Sequence, residues 1–139
     1  MKVNNKKVVI HDFSGHPFQA DLSKELSKND FVVYHMFYDN KHGPKADFET
    51  LKTFDSINVV GISPIIQYSK KNLAIRFLAD FIYGISVLKK LIEIKPNIIL
   101  SGNTPIDANW SFIIFKFIYK CKIISPIIQY SKKNLAIRF

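Results

Sequence analysis

The chain has 139 residues, 47% of them apolar and 14% aromatic, which allows one domain with a proper core and excludes a disordered or low-complexity protein. A single cysteine, Cys121, excludes a disulfide framework and a cysteine-based zinc site and fits a reducing compartment. The formal charge of +9, much of it in lysine pairs at 6–7, 70–71, 89–90 and 132–133, belongs either to solvated helix faces or to an anionic partner; no DNA- or RNA-binding motif accompanies it, so nucleic acid is not an expected partner.

In chain order, Lys7–Phe13 (KVVIHDF) reads as a buried strand, a short β-branched run closed by polar residues. The polar, basic start from Met1 to Lys7 and the short run Val8–Ile10 do not make a secretory signal. Ser14–Gly15–His16–Pro17 is a turn, with Pro17 suited to the first turn of a helix because its missing N–H has no partner there anyway. The spacing of Phe18, Leu22 and Leu26 predicts an amphipathic helix with those residues facing the core. Phe31–Tyr38 predicts a second strand, apolar enough to be buried on both sides.

Residues 39–56, with His42–Gly43–Pro44, form a long polar connection of the kind that is usually functional or mobile. Ile57–Ile62 predicts a third strand. A long helix is then expected from about Lys70 to Ile94, capped by Ser69, with an apolar stripe of Ala74, Leu78, Phe81, Ile85, Leu88 and Ile92. Lys95–Pro96 ends it. Asn97–Leu100 predicts a fourth strand, and Thr104–Pro105–Ile106–Asp107 has the form of a capping box with Thr104 as N-cap. The helix that follows, to about Tyr119, is apolar nearly all round and needs deep packing, a partner or a membrane surface to cover it. The window 110–128 holds Lys116, Lys120, Lys122 and Pro126, which argues against a spanning helix. A fifth strand begins at Cys121. Strands alternating with helices predict an α/β fold, a Rossmann-like parallel sheet flanked by helices.

Residues 124–139 repeat residues 62–77 letter for letter (ISPIIQYSKKNLAIRF). Structural repeats drift apart in sequence, and the residues between the copies do not repeat. The second copy therefore reads as a duplication or an assembly artefact, and the domain as residues 1–123.

In an open parallel sheet, ligands bind beyond the carboxyl ends of the strands. Two loops lie there: His11–His16 after the first strand and Ser101–Thr104 after the fourth. Each leads into a helix N-terminus, which suits phosphate or sugar hydroxyls, and Gly15 and Gly102 allow close backbone approach. His11 reads either as a ligand contact or as a core histidine, Asp12 and Ser14 as contacts or caps, Asn103 and Thr104 as contacts or turn and cap. Nothing in the spacing of His11, Asp12 and His16 requires a metal, and no metal or cofactor is expected. There is no dinucleotide fingerprint, P-loop or hydrolase elbow.

At these loops the chain resembles the N-terminal half of a bacterial family 4 glycosyltransferase of the GT-B fold. The matching segments are HDFSGHPFQADLSKEL, HGPK, RFLADFIYG and, most specifically, KPNIILSGNTPIDA, in the family's order from residue 7 to about 120. The resemblance implies a retaining, metal-independent enzyme of surface polysaccharide biosynthesis, its active site in a cleft between two Rossmann-like halves. The N-terminal half would hold a lipid-linked or saccharide acceptor. A nucleotide-sugar donor would bind through a C-terminal half that this sequence does not contain. By position, Ser14, Gly15, His16 and Gln19 would face acceptor and donor phosphates, and Gly102, Asn103 and Thr104 would line the cleft; no catalytic residue is assigned. The family's Gln-Asp segment after the fifth strand is replaced by Ser125–Tyr130, the start of the copied block. The 139-residue chain is therefore expected to be inactive by itself, cytoplasmic, and peripheral at an anionic membrane face. A non-catalytic sugar- or phosphate-binding remnant and another Rossmann-like sugar-nucleotide enzyme are the alternatives.

Overall fold

The computed structural model describes residues 5–39, 47–63, 65–66, 69–102 and 104–125, with the backbone alone at 107. The loop motif at residues 42–44, Asn103 and residues 126–139 of the copied block lie outside the described residues. Five parallel strands form one sheet in the order β3-β2-β1-β4-β5: β1 (Lys7–Asp12), β2 (Val32–Tyr38), β3 (Ile57–Ile62), β4 (Ile98–Ser101) and β5 (Lys122–Ile124). The connecting helices are α1 (Pro17–Lys28), α2 (Phe48–Lys52), α3 (Leu73–Ile94) and α4 (Trp110–Ile118), with a 3-10 turn at Ile106–Ala108 ahead of α4. This is the α/β, Rossmann-like arrangement that the alternation of strands and helices predicts.

β1 is central, so its alternating side chains enter two cores. Val8 and Ile10 pack with Val33, Ile57, Ala20 of α1 and Phe48 and Leu51 of α2. Val9 packs on the other face with Met36, Ile99, Tyr83, Val87 and Leu91 of α3, and Phe112 and Phe115 of α4. The chain thus winds from β1 to β3 under one face and returns over the other. The direction reverses between β1 and β4, which is the ligand-binding crevice of such sheets.

Two helices bury a different face from the one their apolar spacing predicts. α1 buries Gln19, Ala20 and Ser23, while Phe18 is 60% exposed and Leu22 39%. The inward His35 of β2 explains the rotation: its Nδ1 lies 2.8 Å from the Ser23 hydroxyl, and a buried imidazole needs such a partner. α3 begins at Leu73, not Lys70, because Asn72 and not Ser69 is its N-cap, accepting the N–H groups of Ala74 and Ile75 at 3.0 and 3.3 Å. Its buried stripe is Ala79, Asp80, Tyr83, Gly84, Val87, Leu91 and Ile94. Of the predicted stripe, Leu78, Phe81, Ile85 and Ile92 are exposed. The helix is apolar on two sides, and the side with Gly84 admits the Trp110 ring, 2.9 Å from where a Cβ would stand.

The capping box at Thr104 is also not formed. Pro105 precedes the 3-10 turn, no side chain caps it, and the Thr104 hydroxyl is used elsewhere. The long 39–56 connection contains α2, capped by Asp47, which accepts the Thr50 N–H at 3.1 Å. α3 ends on Lys95 in the left-handed region (φ 53°) and receives a further hydrogen bond from Lys7 Nζ to the Ile94 carbonyl at 3.0 Å. The two copies of the sixteen-residue block each begin at the last residue of an edge strand, Ile62 of β3 and Ile124 of β5.

Candidate functional site

The β1–α1 turn and the loop after β4 meet at the point where the strand order reverses. β1 and β4 are paired so that His11 stands opposite Ser101. The Gly102 N–H then donates to the His11 carbonyl at 2.9 Å. A Cβ on Gly102 would lie 2.6 Å from Gln19 Nε2 and 3.3 Å from the His11 carbonyl oxygen. Glycine leaves room here for close approach, and the Gln19 side chain from α1 fills the space.

Beneath the loops runs a buried chain of polar groups. His11 Nδ1 lies 2.6 Å from the Thr104 hydroxyl, which lies 2.8 Å from Ser101 Oγ. His11 Nε2 lies 2.7 Å from the Tyr83 hydroxyl of α3. Both ring nitrogens are therefore partnered, one donating and one accepting in the neutral ring. Burial, with His35 as a lesser cause, pushes the His11 imidazole down to about 3. Burial raises the Tyr83 phenol as well, with Tyr38 and Asp12 adding to it. His11 is thus a neutral strut that ties β1, the β4 loop and α3 together.

Asp12, the last residue of β1, is fully buried. Its Oδ1 accepts the Gly15 N–H at 3.0 Å, and Gly15 takes the left-handed φ of 74° that closes the turn. Burial raises the Asp12 carboxyl above its ordinary range, against the N–H groups of His16, Gly15 and Ser14 and the nearby His16 ring, which favour its ionised form. His16 precedes α1 without capping it through its side chain, and its ring stacks on Phe18 at 5.4 Å.

Of the expected site residues, Ser14 is exposed and His16 half-buried, while Gly15, Gln19, Gly102 and Thr104 are buried within the two loops. The fold brings all six to the crevice, and Asn103 lies outside the described residues. Sequence reasoning missed Tyr83. The only signal was a phenol in the apolar part of α3, with nothing local to connect it to His11, 72 positions away. Among the described residues no three His, Cys, Asp or Glu side chains are grouped to hold a metal, and no helix is long and apolar enough to cross a membrane.

No protein-family model and no curated protein matches the sequence. The fold is similar to that of an Arabidopsis thaliana UGT complexed with UDP (TM-score 0.60, 11% identity, covering 87% of this chain and 34% of that one). It is similar to MurG of Acinetobacter baumannii (TM-score 0.58, 16% identity, 86% and 34%). It is also similar to the C-terminal domain of a Pyrococcus furiosus hydrogenase (TM-score 0.61, 12% identity, 87% and 90%). At such identities the likeness is one of fold. The chain spans about a third of the length of the UGT and of MurG. It has the Rossmann-like α/β fold found in glycosyltransferases of the GT-B kind.

Proposed function

We propose that this domain is the acceptor-side half of a retaining glycosyltransferase, transferring a sugar from a nucleotide-sugar donor to a lipid-linked or polysaccharide acceptor during surface polysaccharide assembly. The observation that carries the reading is the convergence of the β1–α1 turn and the β4 loop at the reversal point of the sheet, in a fold shared with a UDP-complexed UGT and with MurG. In this reading Ser14 and His16 touch the acceptor, and Gly15, Gln19, Gly102 and Thr104 shape the wall. The donor is held by a second Rossmann-like half, and without it one wall of a cleft cannot exclude water or stabilise a departing diphosphate.

The same reading places the domain against an anionic membrane face. α4 exposes Ile113, Phe117 and Ile118, with Phe117 87% exposed. Beside it a groove is lined by Lys6, Lys116, Lys120 and Lys122. Apolar side chains flanked by lysines suit a surface of anionic lipid.

The test is binding of a short-chain lipid-linked sugar by calorimetry, alongside donor turnover. The chain is expected to bind acceptor without turning over any nucleotide sugar. His16→Ala is expected to weaken binding about tenfold, near 1.4 kcal/mol, with an unchanged unfolding temperature. Failure of a panel of lipid-linked and free saccharides to bind would refute the acceptor role.

A further inference from the structure

The N–H groups of the β1–α1 turn are ones a bound phosphate would use, and that of Gly15 is already occupied. The Asp12 carboxylate accepts the Gly15 N–H and lies near those of Ser14 and His16. It is 0% exposed, and its second oxygen, Oδ2, has no hydrogen-bond partner among the described residues. An ionised carboxylate only accepts hydrogen bonds, so Oδ2 requires a donor. The oxygens of a diphosphate diester supply none at neutral pH, and any phosphate adds negative charge beside the first. A sugar hydroxyl supplies one and adds no charge.

We infer that Asp12 is a specificity residue: it closes the β1–α1 turn to phosphate and selects a neutral, hydroxyl-bearing part of the ligand, a sugar ring. The turn that leads into α1 thus has a carboxylate of its own beneath it, five residues ahead of the first helical residue. The identity of the hydroxyl donor rests on the acceptor-side reading above; the exclusion of phosphate does not. Any diphosphate carried by donor or acceptor then lies away from this turn. This departs from the sequence-based expectation that Ser14, Gly15, His16 and Gln19 face phosphates. The neighbouring groups fit a neutral ligand: Ser14 offers an exposed hydroxyl, and the His16–Phe18 stack offers an apolar flank of the kind a sugar ring covers.

The experiment follows the backbone amide resonances of Ser14, Gly15 and His16 in the isotope-labelled 139-residue chain. It is titrated separately with inorganic pyrophosphate and with a set of methyl hexopyranosides. Wild type is expected to show saturable shifts with at least one glycoside and none with pyrophosphate. Asp12→Asn, which keeps the shape and removes the charge, is expected to gain pyrophosphate binding by about tenfold or more and to weaken glycoside binding. Saturable pyrophosphate binding by wild type at these amides overturns the inference, and so does the absence of any glycoside response. Should Asp12→Asn fail to fold, the two wild-type titrations decide the matter by themselves. Pyrophosphate at the turn would leave the glycosyltransferase reading in place, because that reading stands on acceptor binding, whereas loss of acceptor binding with pyrophosphate still excluded and a methyl glycoside still bound would remove only that reading.

Discussion

His11 and His35 make the stability of this protein depend on pH. Burial holds their imidazoles down to about 3 and about 4 in the folded chain, against 6.5 when unfolded. Below pH 6.5 the unfolded chain takes up protons that the folded chain refuses, so stability present above that pH is lost as pH falls. The loss is about 1.4 kcal/mol per histidine per pH unit, continuing until the folded-state values are reached. Asp12 opposes it, since its raised carboxyl protonates first in the folded chain. At pH 5 the two histidines together are expected to cost about 4 kcal/mol, a large part of a domain's stability. Urea unfolding at pH 7.5, 6 and 5 checks this, and an unchanged midpoint would remove both histidines from the buried network. The sequence shows His11 as contact or core residue; the structure decides for core because Tyr83 and Thr104 arrive from distant elements to partner it.

At the scale of elements, the strands and their order in the chain were legible, because short β-branched runs between polar turns admit few other readings. The faces of α1 and α3 were not. α3 carries two apolar stripes at helical spacing, so periodicity alone does not choose between Phe81–Ile85–Ile92 and Tyr83–Val87–Leu91. Gly84 makes the choice, since its missing side chain lets α4 approach through Trp110, whose ring stacks on Phe81 at 5.0 Å. Gly84→Ala would gain about 1 kcal/mol in helix propensity but drive a methyl into a rigid ring at 2.9 Å, an overpacking that costs about 1–3 kcal/mol. The variant is expected to lose about 1 kcal/mol in denaturant unfolding. A more stable variant would show that the indole moves aside without cost.

At the scale of the whole molecule, the feature that stands out is apolar surface: Phe77, Leu78, Phe81, Ile113, Phe117 and Ile118 are all more than 40% exposed on α3 and α4. With β3 and β5 at the sheet edges, such a surface favours self-association or adhesion. The chain is expected to self-associate on gel filtration in a salt-dependent way and to sediment with phosphatidylglycerol vesicles. Phe117→Ser and Lys116→Glu should each reduce the sedimenting fraction. A monodisperse, salt-insensitive monomer that ignores the vesicles would count against the membrane reading.

The sequence by itself determined the fold class and the two loops at the crevice, since strand and turn signals are local and the parallel α/β arrangement follows from their alternation. It also determined that Gly15 and Gly102 stand where the backbone turns or is closely approached. Tertiary structure decided what those loops hold. The partners of His11, the rotation of α1 onto His35 and the stripe of α3 that is buried depend on groups brought together from separate elements of the chain. Buried polar groups must find partners wherever the sheet places them, and that requirement overrides the local apolar pattern.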